Sequence, residues 1–133
     1  MDPQTAQKPM PSVLIVDDDA FSREVLHEML AAEGIVNIQM ADNGRSALRA
    51  LAAMGSPPEL LICDVFMPDM DGIEFMSELA QHQYPGDVVL VTGVDVSTLS
   101  LARDIATGQG IRLLGSFTKP LHKNVLKQLL AAR

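Results

Sequence analysis

One cysteine and no tryptophan occur among the 133 residues, and aromatic side chains make up only 4%. A single thiol excludes an internal disulfide framework and any multi-cysteine zinc site. Basic residues are also scarce. Lys and Arg number 10 against 17 Asp and Glu, a formal net charge of −7. That balance disfavours sequence-independent binding to nucleic acid or to an anionic membrane surface. No apolar run approaches the ~20 residues of a membrane span, and the amino terminus lacks the basic-then-apolar pattern of a secretory signal. The expectation is a soluble, cytoplasmic protein. Residues 1–12 hold Pro3, Pro9 and Pro11 without apolar periodicity, and read as a flexible lead.

What is present is alternation. Hydrophobic residues make up 47%, enough for one globular unit over 13–133 that buries roughly two-thirds of its unfolded surface. Val13-Leu14-Ile15-Val16 is a continuous apolar run suited to a strand buried on both faces, and Asp17-Asp18-Asp19 follow it. Phe21, Val25, Leu26, Met29 and Leu30 fall at helical spacing, with Gly34 where a C-terminal cap belongs. Ile35 to Met40 alternates like a strand nearer an edge. Arg45 to Met54 reads as a helix, broken by Gly55-Ser56-Pro57-Pro58. Leu60 to Cys63 is another continuous apolar run, ending at Asp64. After a turn-rich stretch, Ile73, Met76, Leu79 and Ala80 give a helical stripe. Val88 to Val91 forms a strand ending at Thr92, and a weaker helix covers Val96 to Thr107. Ile111 to Leu114, extending toward Phe117, precedes Lys119-Pro120 and a last helical face of Leu121, Val125, Leu126, Leu129 and Leu130.

Five strands alternating with five helices predict an α/β fold. The strands are parallel, the crossovers right-handed, and helices cover both faces. The expected architecture is a doubly wound five-stranded sheet of order 2-1-3-4-5, flavodoxin-like. The reactive crevice of such sheets lies beyond the carboxyl ends of the strands. Asp17 and Asp18, Asp64, Thr92 and Lys119 stand at or just past the ends of strands 1, 3, 4 and 5. Singly, each has a plain reading: Asp19 as a helix cap, Asp64 as a loop acid, Thr92 as a strand end, Lys119-Pro120 as a turn. Jointly they form a crevice with three carboxylates, a hydroxyl and an ammonium. A hard divalent cation with oxygen ligands lets such carboxylates coexist, and Mg2+ suits that role. With Asp64 as nucleophile, Lys119 as counter-charge and Thr92 as donor, the set reads as carboxylate-centred phosphoryl transfer.

On these residues the sequence resembles the receiver domains of two-component response regulators. The resemblance rests on Val13 to Asp19 with Arg23 downstream, Asp64-Val65-Phe66-Met67-Pro68-Asp69-Met70-Asp71-Gly72, Val91-Thr92-Gly93 and Phe117-Thr118-Lys119-Pro120, and covers Val13 to the end. It implies that Asp64 accepts a phosphoryl group from a sensor histidine kinase or a histidine phosphotransfer protein. It implies further that Asp18 and Asp64 bind Mg2+ directly, Asp17 mainly through water, and Phe66 through its main-chain carbonyl. Thr92 and Lys119 then meet the phosphoryl group. Their motion biases the face of helix 4, strand 5 and helix 5, which an output domain or partner reads. The Lys119–Pro120 bond is expected to be cis.

Two features depart from the family. Ser116 stands where an aromatic ring is common, three residues before the lysine, and Phe117 is expected on the other side of the strand. The stretch from Thr92 to Lys119 is longer than in most receivers. The run Leu114 to Leu121 looks like receivers fused to cyclic-di-GMP phosphodiesterase (EAL) domains. Phe66 and Val94, two residues after Asp64 and Thr92, are apolar and cannot orient an attacking water, which implies slow loss of the phosphoryl group. Gly93 is expected to leave room for that group. Exposed members of the first helix near Ser22 and Arg23 are candidate kinase contacts. His27, His82 and His122 read as solvent-facing, Cys63 as a small core hydrophobe, and the eight Met residues mostly as core filler.

The alternative is an enzyme: a Mg2+-dependent phosphatase of haloacid-dehalogenase-like type, whose Asp-x-Asp pattern Asp17 and Asp19 match. That reading leaves the context of Asp64 unused. A flavin binder is disfavoured, because the acidic first turn repels the flavin phosphate. The helical final residues, Leu129 to Arg133, leave open a stand-alone domain or a portion of a longer regulator.

Overall fold

The strands divide by burial before their order is known. A computed structural model describes residues 10–67, 70–93 and 96–133. In it β1 (Val13–Val16), β3 (Leu60–Asp64) and β4 (Asp87–Thr92) are buried at every position, whereas β2 (Ile38–Ala41) and β5 (Arg112–Thr118) are not. Continuous burial is what a central parallel strand needs, with helices on both faces. The sheet order is β2-β1-β3-β4-β5 and every pairing is parallel, which places the two less buried strands at the edges.

The period-two alternation of side chains then builds two cores. Leu14, Val16, Leu61, Cys63, Val88 and Leu90 face α2 (Gly44–Ala53), α3 (Gly72–Gln81) and α4 (Val96–Gly108), meeting Ala47, Phe75, Met76, Leu79 and Ala102. Val13, Ile15, Leu60, Ile62, Val89 and Val91 face α1 (Ala20–Ala32) and α5 (Lys123–Ala132), meeting Leu26, Leu30, Leu126 and Leu129. The register of β5 on β4 slips by one residue after Val88, so Gly115 pairs with Val89 and Phe117 with Val91. Phe117 therefore joins the α1/α5 core, while Ser116, paired with Leu90, takes the alternate face toward α4.

Several expectations need adjusting. The second strand begins at Ile38 rather than Ile35. Gly34 turns the chain at φ +90, and Ile35 packs into the core from the connection instead of from the sheet. Strand 5 runs on to Thr118. Phe21 and Val25 share helical spacing with Leu26 and Leu30, yet they lie on the outer side of α1, 75% and 38% exposed. Met67, Met70 and Met76 are core residues, but Met10 and Met40 are exposed. His82 and His122 are exposed and His27 is half-buried. The packed chain reaches back to Pro11 and Ser12, whose carbonyl accepts the Leu60 N–H at 3.0 Å. Residues 1–9, within the expected lead, lie outside the described residues.

At the amino edge of the sheet, far from the expected crevice, a second charged group is enclosed. Asp87 is 3% exposed. Its Oδ1 accepts from Arg112 Nη2 at 2.7 Å and Nε at 3.0 Å, and its Oδ2 accepts from Arg133 Nε at 3.1 Å. One carboxylate thus joins the starts of β4 and β5 to the end of α5. A buried charge held by two guanidinium groups is in the arrangement that offsets its desolvation.

Candidate functional site

The crevice is built from the carboxyl ends of β1, β3, β4 and β5. Asp17, just past β1, is 1% exposed, Asp64 at the end of β3 is 4%, and Thr92 at the end of β4 is 0%. Asp18 is exposed. Oxygens of Asp17, Asp18 and Asp64 lie within 4.8 Å of one another. All are hard oxygen donors, and three anions this close need a cation, so the set fits Mg2+.

Lys119 follows β5 across a cis peptide to Pro120. Its Nζ lies 2.8 Å from Asp17 Oδ2 and 3.1 Å from Asp64 Oδ2, with Ser22 Oγ at 3.5 Å. The Asp17 approach is an ion pair rather than an aligned hydrogen bond, and Oδ2 has no other partner. Asp64 Oδ1 accepts the main-chain N–H of Phe66 at 3.1 Å, which folds the chain after β3 back over the carboxylate. Burial pushes the Asp64 carboxyl up, the nearby Asp17 charge adds to it, and the Phe66 and Lys119 hydrogen bonds oppose it. Burial alone would lower the Lys119 ammonium, but its bonds to Asp17 and Asp64 outweigh that and raise it.

The flanking residues set the stage. Asp19 caps α1, accepting from Phe21 N–H at 3.3 Å and Ser22 Oγ at 2.9 Å; the Ser22 bond above all holds its carboxyl below the usual range. Asp71 caps α3 by accepting the Glu74 N–H at 2.8 Å. Gly72 follows because a Cβ there would sit 2.8 Å from Val65 Cα. The Asp-Gly pair of the sequence motif is therefore a helix start pressed against the loop that follows Asp64. The Thr92 hydroxyl is buried with no partner among the described residues. A buried hydroxyl without a partner is costly, which points to an acceptor arriving from outside the chain. A Cβ at Gly93 would meet only Lys119 Cδ, at 3.9 Å, so this corner is open. Pro68, Asp69 and Val94, which the sequence reading also invoked, lie outside the described residues.

A family model for the response regulator receiver domain matches residues 13–131. The chain belongs to the response regulator receiver family. Receiver domains are signalling domains, phosphorylated by histidine kinases and acting on output domains. This receiver is 37% identical over 92 residues to protein-glutamate methylesterase/protein-glutamine glutaminase 5 of Myxococcus xanthus, a match covering 68% of the chain and 26% of that protein. It is 36% identical over 98 residues to an uncharacterized response regulatory protein of Vibrio cholerae, covering 73% and 40%. The chain thus spans well under half the length of these curated relatives. Among solved structures, a response regulator from Colwellia psychrerythraea superposes with a TM-score of 0.75 at 32% identity, over 93% of this chain and 96% of that one. Vibrio cholerae CheY4 gives 0.73 at 26% identity, over 93% and 98%. No helix among the described residues is long and apolar enough to cross a membrane.

Sequence reasoning missed one contact in this receiver. Arg23, near the candidate kinase contacts of α1, sends Nη1 back to the Asp17 carbonyl at 2.7 Å. A signal for it existed: a cation in the first turn of a helix opposes the macrodipole and calls for a nearby acceptor.

Proposed function

We propose that this receiver domain, spanning residues 13–133, is the phosphoacceptor switch of a phosphorelay, with Asp64 as the acceptor. The observation that carries this reading is the position of Asp64: 4% exposed, beside two further carboxylates and 3.1 Å from Lys119 Nζ. An Asp64 carboxylate oxygen attacks the phosphorus of a phosphohistidine on the partner. The new O–P bond forms as the P–N bond breaks, and the imidazole leaves with the electron pair and takes up a proton. Bound Mg2+, held directly by Asp18, Asp64 and the Phe66 carbonyl and through water by Asp17, would neutralise charge on the transferring phosphoryl oxygens. Lys119 meets the same charge from the β5 side, and the Thr92 hydroxyl donates to a phosphoryl oxygen.

The donor histidine belongs to a sensor kinase or phosphotransfer protein. An apolar hollow of about 120 Å3 lies beside the crevice, lined by Phe21, Val25, Met29, Pro120 and Leu121 and touching Lys119. Exposed Phe21 and Val25 suit the apolar face of a partner helix. The changed state is read at the face of α4, β5 and α5 by an output domain or a separate protein. The setting proposed is cytoplasmic, without direct contact to nucleic acid or membrane. The chain does no turnover chemistry beyond its own phosphorylation and dephosphorylation. The phosphatase alternative gains nothing here: it leaves Asp64 without a role, and the family match over residues 13–131 is to receiver domains.

Incubation with Mg2+ and acetyl phosphate, followed by intact mass, tests the reading. A single phosphoryl addition to the wild type and none to Asp64→Asn is expected. An unchanged wild-type mass, or equal labelling of Asp64→Asn, would overturn it.

A further inference from the structure

We infer that Arg23 is a positioning residue of the metal site, holding the Asp17–Asp18 peptide so that the Asp18 carboxylate points into the crevice. This rests on the Mg2+-dependent reading above. Asp17 is fixed through all its polar groups. Its N–H donates to Ala41 O at 3.1 Å, its Oδ1 accepts the Asp19 N–H at 2.9 Å, and its Oδ2 faces Lys119 Nζ at 2.8 Å. Arg23 Nη1 takes the remaining group, the carbonyl, at 2.7 Å. Asp18 differs. It is exposed and makes no hydrogen bond or ion pair among the described residues. Nothing orients its side chain except the main chain it hangs from. The peptide is planar, so fixing the Asp17 carbonyl oxygen fixes the Asp18 nitrogen and Cα with it. The guanidinium therefore acts on Asp18 through the intervening peptide bond.

The location of Arg23 supports a specific task. It stands in the first turn of α1, where the helix dipole disfavours a cation. A short charge-assisted bond to a main-chain oxygen is what offsets that cost. Groups that orient metal ligands typically change metal affinity by about tenfold or more when removed.

Two other roles for the same contact give different results. If Arg23 only tied α1 to the loop, its loss would lower the melting temperature and leave metal affinity alone. If it only offset the acidic charge, its loss would strengthen Mg2+ binding. The test is titration of MgCl2 into wild type, Arg23→Met, Arg23→Gln and Arg23→Lys by calorimetry, with melting in EDTA alongside. Positioning predicts a Kd for Mg2+ raised about tenfold in Arg23→Met, with a smaller rise in Arg23→Lys, which keeps a donor. It predicts also that the Mg2+ concentration giving half-maximal phosphorylation by acetyl phosphate rises, while the rate at saturating Mg2+ stays near wild type. Arg23→Gln carries the test if Arg23→Met fails to fold. An unchanged or lower Kd in the variants overturns the inference alone. A wild type that binds no Mg2+ overturns the metal reading and this inference together.

Discussion

The main chains of Thr92 and Lys119 are joined directly: the Lys119 N–H donates to the Thr92 carbonyl at 2.6 Å. The two residues come from neighbouring strands, one at the end of β4 and one just past β5. Their side chains differ in occupation. Lys119 spans Asp17 and Asp64, while the Thr92 hydroxyl has no partner among the described residues. A ligand held by both side chains would act on the ends of β4 and β5 at once.

Thr92→Val should separate stability from signalling. The substitution keeps shape and removes an unpartnered buried hydroxyl, so the unfolding free energy should stay level or rise by about 1 kcal/mol. Urea denaturation measures it. A clear loss of stability would mean that the hydroxyl already has a partner within the fold.

Asp64→Asn should melt a few degrees higher than wild type in EDTA near neutral pH. The sign follows from the raised carboxyl of Asp64: its ionised form is disfavoured in the fold, a cost present above the unfolded carboxyl range. The isosteric amide removes that cost. Added Mg2+ should stabilise the wild type and narrow the gap, and calorimetric melting at several Mg2+ concentrations follows it.

Phosphorylated wild type should lose its phosphoryl group slowly. Phe66 is apolar and 39% exposed at the rim of the crevice, where it cannot orient a water molecule. Phe66→Asn and Val94→Glu should each speed decay several-fold, read as loss of the phosphorylated mass over time. No acceleration in either variant would remove this explanation of persistence.

Cys63 should resist alkylation at neutral pH until the chain unfolds. It is 0% exposed, and burial, reinforced by Asp64 and Asp17, pushes its thiol well above the ordinary range. Labelling that tracks unfolding in urea is the expected result; rapid labelling of the native protein would contradict it.

Asp87→Ala should cost about 2 kcal/mol, because it removes a buried carboxylate that ties two guanidinium groups together, although Arg133 keeps Glu59 at 3.5 Å and Arg112 can turn to solvent. Chemical denaturation measures the loss, and phosphorylation at Asp64 should persist in the variant.

Much of this architecture is legible in the residues. Continuous apolar runs such as Leu60 to Cys63 mark central strands because only two-sided burial requires them. The strand ends then place Asp17, Asp18, Asp64 and Thr92 without knowledge of any contact. Edges are less legible: Ile35 belongs to the core but not to β2, since Gly34 at φ +90 redirects the chain before pairing begins. The α1 stripe misleads for another reason. Phe21 and Val25 have core-like chemistry and spacing, and only the tertiary structure reveals that Leu26 and Leu30 take the buried side. The partner of Arg23 is hard to read because it is a main-chain carbonyl, and only the misfit of a cation with the start of a helix hints at the contact. Asp87 is concealed too, since its partners Arg112 and Arg133 are distant in the chain.

The Asp87 clamp has a mechanical consequence. It secures the foot of β5 and the last turn of α5 to the same carboxylate, at the end of the sheet opposite Lys119. A push delivered at the upper end of these elements meets a fixed fulcrum below, so it favours tilting over sliding.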